Sequence, residues 1–292
     1  MKPEAGLSAG PDAARRARRE RTFRAFMLAS LGLALLTLGA LLVTVGIDGI
    51  PRLSWEFLTG LPSRFARRAG AAPAILGSLW IIAVCAVFAV PVGIGAALYL
   101  EEFADRESRI NRLVEVNIAN LAGVPSIIYG LLGLAIFVRA LGMGRSVLAG
   151  GLTLGLLVLP VIVIASREAI RAVPTSIREA ALALGATKWQ TVSRHVLPVA
   201  LPGVMTGIIL AVSRALGEAA PLVTMGALTY VSFRPNSLFS RFTALPIQIF
   251  NWTSRPQADF RLTAAAGIVV LLAVLLGMNA IAIAIRNRAQ RK

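Results

Sequence analysis

Hydrophobic residues fall in six long runs parted by short polar segments: roughly 26–47, 75–100, 118–138, 147–165, 201–228 and 263–285. Each run approaches the roughly 20 apolar residues that cross about 30 Å of hydrocarbon. A backbone in lipid must satisfy its own hydrogen bonds, so the runs predict helices. They are apolar all round for longer than a soluble core helix sustains, and the two-residue alternation of a β-barrel is absent. The expectation is an all-α polytopic membrane protein with about six transmembrane helices. The first run exceeds the roughly 7–15 residues of a cleaved signal peptide's apolar core and ends at Ile47-Asp48-Gly49-Ile50-Pro51, which predicts a retained anchor. Residues 1–24 are then expected to be a disordered, basic cytoplasmic tail, and residues 25–292 the transmembrane domain.

Composition sharpens this picture. The chain is 57% hydrophobic and only 15% charged, against about 25% charged in soluble domains. Its net charge of +16 sits mainly in the short segments between runs, not on a soluble module, so nucleic acid is not expected as a partner. The basic run Arg15-Arg16-Ala17-Arg18-Arg19 instead suits anionic lipid. With the N-terminus inside, the inner segments 1–24, 101–117, 166–200 and 286–292 carry 19 basic residues. The outer segments 48–73, 139–146 and 229–262 carry 10, although Arg64, Arg67 and Arg68 are on the unexpected side. The excess predicts both termini in the cytoplasm. One cysteine, Cys85, and one histidine, His195, leave no disulfide and no Cys- or His-based metal site, and no cofactor is expected.

Within the runs, Gly151-Leu-Thr-Leu-Gly155 and Gly203-Val-Met-Thr-Gly207 match the spacing that lets helix backbones touch, a match that chance could also give in a glycine-rich chain. Pro91, Pro160 and Pro221 are expected to bend their helices. The inner segment 166–200 carries the most specific local pattern. Ser176-Ile-Arg-Glu179 and Thr187-Lys-Trp-Gln190 both fit capping boxes, and Gly185 between them fits a helix stop. Two short helices with a glycine turn are predicted. A DNA-binding helix-turn-helix would need a third supporting helix, which a tethered loop of this length lacks. A docking element for a cytoplasmic partner is the better reading.

Glu179-Ala180-Ala181, Gly185 six residues after the glutamate, and Leu197-Pro198 together resemble the EAA loop of ABC importer permeases. His195 stands where that family has Ile. The resemblance implies the type I importer permease fold and makes 166–200 a coupling loop that sits in a cleft of a separate ATPase. Glu179, Ala180, Ala181 and Gly185 are its coupling residues. The chain itself carries no Walker A motif, which needs Gly-Lys: its lysines are Lys2, Lys188 and Lys292, and none follows a glycine. Val92-Gly93-Ile94-Gly95-Ala96-Ala97 loosely matches a dinucleotide fingerprint but lies mid-run, without a βαβ context.

The fifth run contains Arg214 and, one turn on, Glu218. At 1.5 Å per residue Arg214 lies about 20 Å past Leu201, near mid-membrane. Charges there are costly, and the i, i+4 spacing lets the two offset each other. The pair could fix helix packing. It could also form a pathway site, because a guanidinium fork suits tetrahedral oxyanions. Glu218 as a proton relay is a third use. Arg214–Leu222, Ala122–Gly130 and Leu245–Trp252 resemble stretches of phosphate-specific ABC permeases of the PstA type; Ala219 stands where relatives often have Thr. That resemblance implies a PstC-type permease, a PstB-type ATPase dimer and a PstS-type periplasmic phosphate-binding protein as partners. A permease for molybdate or sulfate, and a proton-coupled secondary transporter, are the alternatives; the latter would have no need of a docking loop.

Overall fold

The computed structural model describes residues 11–105, 107–227 and 230–290. Among them the chain is helical, with no strand beyond one isolated bridge between Ser146 and Arg241. Among the described residues five helices are long and apolar enough to cross a membrane, six if one bent pair counts as a span.

By packing, the chain divides at Asp48/Gly49. The first unit is helix α1, Pro11–Gly49, taken as far as Asp48. The basic segment expected to be disordered is therefore helical from Pro11 onward. Ala, Arg and Glu are good helix formers, and a helix already nucleated by its apolar stretch extends at little further cost.

The second unit opens with a short helix α2, Trp55–Thr59, capped by Ser54, whose hydroxyl accepts from the Phe57 amide. Helix α3, Ala72–Leu98, is prolonged by a wide turn, Tyr99–Phe103. Helix α6, Val147–Arg171, packs along α3, and α9, Leu197–Gly217, packs along α6. Both glycine pairs lie on these seams. A Cβ on Gly151 would reach Val84 at 2.5 Å and one on Gly155 would reach Phe88 at 2.6 Å. A Cβ on Gly203 would come to 2.8 Å from Ala169, and one on Gly207 would collide with Ala165. The spacing thus marks real backbone approach. Pro91 and Pro160 lie inside α3 and α6.

Two expected spans are broken. Residues 118–138 do not form one helix: α4, Arg109–Ala122, and α5, Ser126–Gly133 with its extension to Ala140, meet at 105°. Gly123-Val124-Pro125 forces the corner, because proline has no amide to continue the ladder. The Tyr129 hydroxyl braces it by donating to the Leu121 carbonyl at 2.8 Å. The fifth run breaks at Glu218, whose backbone is extended (φ −80°, ψ 117°). Pro221 therefore starts a new helix, α10, Ala220–Thr224, and does not bend an old one. Helices α11, Leu245–Thr253, and α12, Asp259–Gln290, complete the unit.

Candidate functional site

The 166–200 segment folds as a helix pair at one end of the bundle. Helix α7, Thr175–Ala183, starts from Pro174 and not from Ser176. The Pro174 carbonyl accepts from Ile177 at 3.2 Å, which puts Ser176 inside the first turn, where its hydroxyl cannot cap; the first predicted capping box does not form. The far end is as expected. Gly185 takes φ +81°, a conformation glycine adopts without strain. Its amide donates to Leu182 O at 2.9 Å and the Ala186 amide to Ala181 O at 3.1 Å, the two bonds of a Schellman stop. The second box does form: Thr187 Oγ1 accepts from the Gln190 amide, and Gln190 Oε1 accepts from the Thr187 amide at 2.9 Å. It opens α8, Lys188–Thr191.

This geometry sorts the predicted coupling residues. Ala181 is buried beneath α7, while Glu179, Ala180 and Gly185 face outward. Beside them Leu182, Leu184 and Trp189 are exposed, Leu184 at 89%. An apolar ridge on an otherwise polar loop is a surface built to be covered. His195 is exposed too, so a polar ring sits there without a desolvation cost.

Arg214 lies in the last turn of α9, and Glu218 forms that helix's C-terminal cap. Arg214 Nε is 3.4 Å from Glu218 Oε1, a long single contact. The Arg214 side chain is 54% exposed and that of Glu218 20%. The negative end of the α9 dipole adds to what holds the guanidinium. One residue earlier, Ser213 Oγ lies 2.6 Å from Asn279 Oδ1, a polar tie from α9 to α12. Sequence reasoning did not single out Asn279; a lone amide in an apolar run was the signal.

A second charge cluster was also missed. Glu101 accepts from Arg171 through two contacts, Nε at 3.1 Å and Nη2 at 3.0 Å, and from Arg167 at 3.4 Å. Arg167 also reaches Glu115 at 2.8 Å. Glu102 accepts from Arg178 at 2.7 and 3.0 Å. The partners lie 52–76 residues apart, so no local pattern reveals them. Two consecutive glutamates closing an apolar run were the available hint. No group of three or more potential metal-ligating side chains occurs among the described residues.

The family model for binding-protein-dependent transport system inner membrane components matches residues 89–291. The phosphate transport system permease protein PstA 1 of Mycobacterium tuberculosis is 35% identical over 273 residues, 91% of this chain and 88% of that protein. The probable ABC transporter permease protein YqgI of Bacillus subtilis is 31% identical over 80% of this chain and 83% of its own length. A chain from the crystal structure of a bacterial ABC transporter involved in the import of the acidic polysaccharide alginate superposes with a TM-score of 0.63 over 94% of this chain and 98% of that one. At 15% identity that likeness is one of fold.

Proposed function

This chain belongs to the family of binding-protein-dependent transport system inner membrane components, and from that premise we propose that it is a transmembrane subunit of an ATP-driven phosphate importer. The observation that carries the reading is the 175–191 helix pair, with its glycine-stopped helix and exposed Leu182, Leu184 and Trp189. A groove in a cytoplasmic ATPase suits that ridge, in the way amphipathic helices dock. The cargo follows from the relatives named as phosphate permeases and from Arg214, whose half-exposed fork has one weak carboxylate partner and can exchange it for an oxyanion.

In this reading a PstC-type permease completes the pathway, a PstB-type ATPase dimer hydrolyses ATP, and a PstS-type binding protein delivers phosphate from the periplasm. Both termini lie in the cytoplasm, with the α1 arginines among anionic headgroups. Closure of the ATPase dimer displaces α7, the bundle tilts, and access to Arg214 alternates. Glu218 holds the guanidinium when the path is empty.

The test is uptake by the reconstituted complex. ATP should drive accumulation of phosphate over molybdate and sulfate; preference for either of those would replace the cargo, and uptake driven by a proton gradient without ATP would replace the mechanism. Arg214→Gln should lower phosphate uptake tenfold or more, since a charged hydrogen bond contributes about 1.5–3 kcal/mol, while assembly is unchanged. Normal uptake would remove Arg214 from the pathway. Gly185→Leu, forced to φ +81°, should leave ATP hydrolysis but not transport; a fully coupled variant would count against docking through this loop.

A further inference from the structure

The docking helix α7 is covalently held only through two short non-helical joints. On one side Ala172-Val173-Pro174 joins it to α6, and on the other Gly185 joins it to α8. A displacement applied to α7 could therefore be absorbed by swinging at Pro174 and Gly185. What opposes this is a non-covalent grip on the end of α3.

The grip is the wide turn Tyr99–Phe103. Here the Ala104 amide bonds to Tyr99 O, five residues back, at 2.7 Å, so the turn holds one residue more than an α-turn. Three successive side chains each engage a different part of the 166–200 segment. Glu101 takes Arg167 and Arg171 at the end of α6. Glu102 takes Arg178 of α7. Phe103 lies under the Lys188 ammonium, 5.3 Å from its ring centre, and 6.3 Å from the Trp189 ring of α8.

Arg178 is the centre of this arrangement. Its Nε and Nη2 both reach Glu102 Oε1, its Nη1 donates to Val173 O at 2.7 Å, and its Nη2 to Ile170 O at 3.0 Å. One guanidinium thus ties α7 to the α3 turn and to the carbonyls that end α6. The pair is largely withdrawn from solvent, with Glu102 9% and Arg178 21% exposed, so little water competes for it. The forked geometry matters: a single ammonium could not span a carboxylate and two carbonyls in fixed directions.

We propose that Arg178, held by Glu102, is a positioning residue that locks the docking helix to the α3–α6 block, so that displacement of α7 moves the block and is not lost at Pro174 and Gly185. The inference rests on the reading of 166–200 as an ATPase-docking loop.

The experiment uses the full reconstituted complex and reads three quantities: retention of the ATPase chain, ATP hydrolysed, and phosphate taken up per ATP. Arg178→Gln and Glu102→Gln should each keep the ATPase chain and its hydrolysis while uptake per ATP falls about tenfold, the scale of a typical coupling free energy. The double variant should be no worse than Arg178→Gln alone, because Glu102→Gln removes a tie that variant has already lost. Arg178→Lys should recover part of the loss. Spin labels at the exposed Ser176 of α7 and the exposed Tyr99 of the α3 turn should keep one distance between the nucleotide-free and ATP-trapped states, and that distance should broaden in Arg178→Gln. Unchanged uptake per ATP, additive losses, or a label distance that shifts in the unmodified complex would each overturn the lock. Should an Arg178 variant fail to assemble, the label distance in the unmodified complex still decides. Loss of the ATPase chain from Arg178→Gln would make the residue a docking contact and also overturn it. If Leu184→Asp leaves the ATPase chain bound and coupled, the docking reading fails instead, whatever Arg178 does.

Discussion

Arg171–Glu101 and Arg214–Glu218 are the same chemical pair in two settings. Glu101 has a side chain only 3% exposed, is met by the Arg171 fork at 3.0–3.1 Å, and shares a second arginine. Arg214 meets Glu218 through one contact of 3.4 Å and is half open. A buried carboxylate depends on its charged donors for the solvation it has given up. A half-open pair with one long contact contributes little to stability, and its members remain free to change partner. The first arrangement holds elements together; the second suits a site that must let go.

The contrast can be broken experimentally. The largest effect should come from Glu101→Gln, which leaves Arg167 and Arg171 short of their shared acceptor. Arg167 keeps Glu115 and Arg171 is half exposed, so no charge is left buried and unpaired, and the loss should be that of charged hydrogen bonds, about 1.5–3 kcal/mol; the thermal midpoint of the purified complex should drop, and an unchanged midpoint would erase the distinction between the two sites. Arg214→Lys should come next, with the opposite signature. It keeps the charge but loses the planar fork, so phosphate uptake should fall several-fold at an unaltered midpoint. A lowered midpoint with normal uptake would make Arg214 a packing residue. The smallest effect should come from Arg171→Gln. Its side chain is half exposed, and Glu101 keeps Arg167, so the loss should be about 1 kcal/mol or less. A larger loss would show that the fork, and not burial, sets the strength of the cluster.

Much of this molecule was legible along the chain, for reasons that differ by region. The spans follow from hydropathy, because lipid exposure constrains every residue of a run. The seams at Gly151/Gly155 and Gly203/Gly207 were legible because close approach needs small residues one turn apart. Gly185 and Thr187 were legible because caps are local chemistry. What stayed hidden is not local. The corner at Gly123–Pro125 and the break at Glu218 interrupt runs that remain apolar throughout, so hydropathy passes over them. Ser176 misled because the residue two before it, Pro174, had already started the helix. Arg178 looked like an ordinary charge beside a motif until folding set it against Glu102, 76 residues away.

The glycine seams also restrict how the bundle can move. Where backbones touch, no layer of flexible side chains remains to shear. For α9 to slide along α6, Gly207 would have to leave the one groove that admits it and meet Ala165 or its neighbours as a ridge; Gly151 stands in the same relation to Val84. Axial sliding is therefore opposed at both seams, which favours movement of α3, α6 and α9 together. In the reading proposed above, a passage beside such a body opens by a lean of the whole block and not by one helix slipping past another.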